Sequence, residues 1–172
     1  GTQTYTGAVT LGDAITLTSN NNTVTFSGSG STINGAKAFT VNAGSGAISF
    51  GGVVGGNSRP LLSITTDSAG TTAINTTTIT TSGAQTYTGA VTLGADVVLT
   101  TSAAGTSGDI SFSSTVEGAT SPSYSLTATT AADAHTIFNG TVGNTNPLKS
   151  LSISAGLTTL NTNTVKTIGS QS

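Results

Sequence analysis

"GTQTYTGAVTLG", residues 1–12, returns as "GAQTYTGAVTLG" at residues 83–94, with Ala84 in place of Thr2 the one change. "GSQS", residues 169–172, opens the same phrase a third time. The likeness runs on between these landmarks. "LGDAITLTS" is answered by "LGADVVLTTS", and "VTFSG" by "ISFSS". "AFTVNAGSGAISFGGVVGG" is answered by "YSLTATTAADAHTIFNGTVGN", and "RPLLSITTDSAGTTAINTTTITTSG" by "NPLKSLSISAGLTTLNTNTVKTIGS". Small insertions widen the offset from 82 to 86 residues. The chain therefore divides into one unit at 1–82, a second at 83–168, and the start of a third at 169–172. The expected whole is one continuous body, a piece of a longer array.

What the two units keep is as informative as the repetition. The aromatics fall into four matched pairs: Tyr5 with Tyr87, Phe26 with Phe112, Phe39 with Tyr124, and Phe50 with Phe138. Pro60 matches Pro147. The charged residues behave otherwise: Lys37, Asp67, Glu117, His135 and Lys166 have no like partner, and Asp13 meets Asp96 only after a one-residue shift. The units share a core and vary their charges, as stacking modules do and a duplicated active site does not. The eight aromatics are the expected core ladder.

Within each unit apolar residues alternate, as in Ile15-x-Leu17, Val24-x-Phe26, Phe39-x-Val41, Ile48-x-Phe50 and Leu62-x-Ile64. A period of two over short runs marks strands with one buried face. Gly, Asn, Ser and Asp punctuate the runs, and no helical period of useful length occurs. The chain reads as all-β. Tandem sandwiches would need hairpins and a linker between units, yet "TTITTSGAQTYTGAVTLG" runs straight through the boundary. Starts at Ile15, Phe39 and Leu62 lie 24 and 23 residues apart, within the range of solenoid repeats. The expectation is a parallel β-helix, a β-solenoid with about three to four coils in each repeat of ~82–86 residues.

Composition narrows the function classes. Charged residues are 6% of the chain, against about 25% in typical soluble proteins. The net charge is −2, and four scattered basic residues give no footprint for nucleic acid or anionic lipid. No apolar run approaches a membrane-spanning helix, and the absence of cysteine excludes a disulfide framework. No cofactor motif occurs: "GGVVGG" at 51–56 lacks the lysine and helix of a phosphate cradle and reads as a corner.

Catalytic and metal-binding candidates are few. His135 stands two residues from Asp133, but the first unit has neither, so no catalytic residue is assigned. The carboxylates Asp13, Asp67, Asp96, Asp109, Glu117 and Asp133 are spread along the chain rather than clustered for glycoside chemistry. Asp13 and Asp96, at the "LGD" and "LGAD" corners, are calcium candidates set against solvated turn aspartates. Sequons at Asn21, Asn75 and Asn139 are chance matches in a Thr- and Asn-rich chain.

With "QTYTGAVTLGAD", "TTAINTTTITTSG" and "ISFGGVVGG" in view, the chain resembles the repeat arrays of giant bacterial surface proteins of the filamentous-haemagglutinin type. That resemblance implies a right-handed parallel β-helix on the bacterial cell surface, serving as an extracellular stalk, adhesin shaft or biofilm-matrix fibre; with no clustered catalytic residues, the expectation is a non-enzymatic structural protein. The expected partners are further copies, end to end and in lateral bundles. The alternatives are a segment that binds a glycan or host receptor and, through its Thr-x-Thr pairs, an ice-binding solenoid.

Overall fold

The computed structural model describes residues 1–172 apart from 57, 68 and 120–122. It is a parallel β-solenoid whose longest wall stacks seven strands. All strand pairings among the described residues are parallel. The one helical element among them is a 3-10 turn at Gly105–Gly108. Parallel stacking meets the hydrogen-bonding demand of the backbone along the column axis, so a wall of small neutral residues suffices.

Three walls enclose the core, visited in fixed order on each turn. Face 1 stacks Gln3–Tyr5, Val24–Phe26, Ile48–Phe50, Thr71–Ile74, Ala90–Leu93 and Val116–Gly118. The isolated bridges Val116 to Val142 and Val142 to Val165 extend it. Face 2 begins with Val9–Thr10 on Ile33–Asn34 and continues through Val54 to Thr78–Thr81, Val97–Thr101, Leu126–Thr129 and Leu151–Ser154. Face 3 is an unbroken seven-stranded sheet: Ile15–Thr18, Ala38–Asn42, Ser63–Thr66, Gln85–Tyr87, Ile110–Phe112, His135–Phe138 and Leu157–Leu160. It crosses the boundary between the units without interruption.

Alternate residues of each strand point inward. The alternation read from the sequence holds with one correction of register. Ile15 pairs with Phe39 and Phe39 with Ile64, so Ile64 and not Leu62 fills the third place in that column. Leu62 is 53% exposed at the corner, while Leu61 is buried and bridges Thr81 on face 2. The wall changes direction between the two leucines, which sequence alternation alone does not register.

The aromatics make two stacks rather than one ladder. On face 1, Tyr5 lies 4.9 Å from Phe26 and Phe26 5.7 Å from Phe50, with rings nearly parallel. On face 3, Tyr87 lies 5.2 Å from Phe112 and Phe112 5.0 Å from Phe138. Such contacts are worth about 0.5–1.5 kcal/mol each beyond the area they bury. Phe39 meets Phe26 edge-on, and Tyr124 packs half-buried against the core.

The two stacks hold the same residues of the two units on different faces, and counting the wall segments explains it. Among the described residues the first unit supplies ten strands and the segment bridged through Val54, eleven in all. The second supplies nine strands with the bridged segments at Val142 and Val165, again eleven. At three segments per turn, eleven make three and two-thirds turns. Each unit therefore ends two faces further round than it began. Face 1 of the first unit becomes face 3 of the second, face 2 becomes face 1, and face 3 becomes face 2.

Candidate assembly interface

Four of the six carboxylates hold turns together. Asp109 Oδ1 accepts the His135 amide at 2.8 Å, and Asp67 Oδ1 that of Ala43 at 3.0 Å. Asp96 Oδ1 accepts the Ser125 amide at 2.8 Å, and Glu117 Oε2 those of Thr145 and Asn146 at 3.1 and 2.8 Å. Each bond joins neighbouring turns at a corner, where an amide would otherwise lack a ladder partner. The carboxylate facing the His135 ring is Asp109, Oδ2 to Nδ1 3.9 Å, and not Asp133. Asp133 instead occupies a left-handed corner at φ 64°.

The calcium candidates lie at separate corners. Asp13 accepts from its neighbour Ala14 at 2.8 Å. Asp96, already bound to Ser125, has the Lys149 ammonium 3.6 Å away. The Ser125 amide, with Lys149 adding to it, holds the Asp96 carboxyl below its ordinary range against the opposing effect of burial. A lysine beside it serves where a calcium site would need further oxygens. Among the described residues no three His, Asp or Glu gather as metal ligands, and no helix is long and apolar enough to cross a membrane. The sequon asparagines are also rungs between turns: Asn21 accepts from the Ser45 amide, Asn75 donates to Ser49, and Asn139 accepts from Asn161.

The phrase that opens each unit is a polar plug in the core. Gln and Tyr, two apart on one strand, both face inward. Tyr87 Oη donates to Gln85 Oε1 at 2.9 Å, and Gln85 Nε2 donates to the carbonyls of Thr100 at 3.0 Å and Ile79 at 3.2 Å. Both side chains are fully buried. In the first unit Tyr5 donates to Gln3 at 3.0 Å and Gln3 to the Thr18 carbonyl at 2.9 Å. Thr18 and Thr100 hold matching places in the two units.

The plug sits at the joint between units, and the joint is built twice. Gly83 N donates to Leu62 O at 2.7 Å, Ser82 N to Leu61 O at 2.7 Å, and Ile64 N to Ala84 O at 3.1 Å. Eighty-six to eighty-seven residues on, at the matching positions, Gly169 N donates to Lys149 O at 2.8 Å, Ile168 N to Leu148 O at 2.8 Å, and Leu151 N to Ser170 O at 3.1 Å. Gln171 bridges Leu151 as Gln85 pairs with Ile64. The second joint lies on face 2 where the first lies on face 3.

Beyond it the column presents an open edge. Leu157 and Leu160 are each 53% exposed, while Phe138, the inward neighbour of Leu160, is buried. A cavity of about 310 Å³ opens there among Phe138, Leu151, Ile153, Leu160 and Val165. At the opposite end Ile15 is 39% exposed while its column neighbour Phe39 is buried. At both edges core side chains thus lie next to the last strand of face 3. Sequence reasoning found the repeated phrase but not the bridging carboxylates. Their signal, a lone acid in or beside a short strand, is too common to single out. Compared with protein-family models, curated proteins and solved structures, the chain matches none.

Proposed function

We propose that this chain is a non-catalytic structural segment of an extracellular shaft on the bacterial surface, extended by stacking further copies of the same unit end to end. The observation that carries the reading is the joint. Three backbone hydrogen bonds and the seat of a glutamine recur at matching positions where the second unit gives way to the third phrase. A surface that accepts the next unit twice by the same bonds is suited to accept it again. The commitment of Asp67, Asp96, Asp109 and Glu117 to backbone amides supports the non-catalytic part.

Chains carrying two, four and six units, imaged by electron microscopy, test this. The expected particle is an unbranched rod that lengthens by about 18 Å per unit, from strand spacings of about 4.8 Å. Particles that grow as strings of separate beads overturn the reading. Selective capture of the two-unit chain by one member of a glycan array would favour a ligand-binding segment instead.

A further inference from the structure

The eleven-segment unit has a consequence for whatever touches the shaft from the side, given the tandem stacking proposed above. In the first unit the outward mid-strand column of face 1 is Thr4, Thr25, Ser49 and Ala73. The matching residues of the second unit, Thr86, Ser111, Ile137 and Thr159, stand on face 3. There they continue a column begun by Thr16, Thr40 and Thr65. One face thus reads a run of threonines and then a different residue set, because the second unit arrives rotated. A third unit begins on face 2, where Gln171 already sits, and a fourth would return to face 1.

We infer that an array of this unit presents its outward chemistry as a stripe stepping around the column, so that a second shaft lying alongside meets the same residues on the same face only every third unit. Three units are eleven turns, about 53 Å at a strand spacing of about 4.8 Å. Contacts between shafts are then separate points at that interval rather than a continuous face-to-face seam. A flat ligand that needs one uninterrupted array of Thr-x-Thr pairs meets three residue sets in succession.

Paired spin labels in the full chain test the rotation. Thr4→Cys with Thr92→Cys places both labels on face 1, four strand spacings apart, about 19 Å along the wall. Thr4→Cys with Thr86→Cys places them at matching positions of the two units. The expected result is that Thr4–Thr92 is the shorter distance, although Thr92 lies further along the chain. Thr16→Cys with Thr86→Cys, three spacings apart on face 3, should be shorter still at about 14 Å. If Thr4–Thr86 is the shortest of the three, units stack in line and the inference falls. In six-unit rods, gold on every copy of the Thr4 position should recur along one side at about 53 Å. Gold in a single row at about 18 Å overturns the inference. Label distances in the expected order without any rod would sink the shaft reading and leave the rotation standing.

Discussion

Tyr87 Oη and Gln85 Oε1 meet at 2.9 Å inside the column, and the Gln85 amide spans to two carbonyls of face 2, one on each of two successive turns. The pair thereby ties one strand to two turns at the boundary between units. A buried polar group that loses its partner costs about 1–3 kcal/mol. Gln85→Leu strands the tyrosine hydroxyl and frees two carbonyl contacts, so it should destabilise by about 2–4 kcal/mol in urea unfolding. Gln85→Leu with Tyr87→Phe should recover at least about 1 kcal/mol of that loss. Gln3→Leu should cost less, because Gln3 is half-exposed and water can replace its bonds. Equal losses at Gln3 and Gln85 would contradict the plug.

The same burial gives Tyr87 an alkaline signature. Removal from water pushes its phenol far above the ordinary value. A group whose folded value is raised contributes stability that is complete below the unfolded value, about 10, and is lost as pH rises toward the folded one. Stability should therefore hold to about pH 10 and fall above it. Tyr87→Phe should flatten that fall. Absorbance titration should show Tyr87 ionising only as the chain unfolds.

Thr136 turns a hydroxyl into the core and finds no partner for it among the described residues. It stands inward between Ile110 and Thr158 on face 3, in a column that holds Ile15, Phe39, Ile64 and Ile110 on four other turns, with Gln85 between the last two. Thr136→Val keeps the shape and the β-branched preference for strand while removing the unmet donor. It should stabilise by about 1–2 kcal/mol, read as a higher urea midpoint with unchanged slope. A loss of stability would mean that the hydroxyl is satisfied.

The wall was largely legible because its pattern is local. Val24-x-Phe26 and Ile48-x-Phe50 face inward as period two requires, and Asn20, Asn21 and Gly44 take the left-handed corners that such residues favour. The rotation of the units was not legible, because it depends on the number of wall segments. One of these is assembled from Val54 and Leu61, which bridge Ile79 and Thr81 on the same strand. Neither residue belongs to a strand of its own, so alternation passes over it. Matching aromatics suggested one ladder for the same reason. Tyr5 and Tyr87 share an environment, a glutamine and a stack of two phenylalanines, without sharing a face. The interface was legible as a repeated phrase, but its bonds were not, since backbone pairing across 20 residues or more leaves no mark on side-chain identity.

Gly55 and Gly143 hold matching places in the two units, and each closes a corner that allows no side chain. Their φ angles are +72° and +64°, and a Cβ would lie 1.9 Å from the Thr80 carbonyl oxygen and 2.3 Å from that of Lys166. Those carbonyls belong to the next turn, whose Thr80 and Lys166 amides donate to Val54 and Val142 at 2.8 Å. The clash therefore falls on backbone that the ladder already fixes, and a left-handed conformation adds about 1–2 kcal/mol for a residue with a Cβ. Gly55→Ala and Gly143→Ala should each cost more than about 2 kcal/mol. Gly30→Ala, where a Cβ meets nothing within 4 Å, should stay within about 0.5 kcal/mol of the parent. The two corner variants should also act alike, since the same corner is built on face 2 in one unit and on face 1 in the other. A tolerant Gly143 beside an intolerant Gly55 would mean that the second unit does not repeat the first unit's geometry, and the shared wall plan would fail with it.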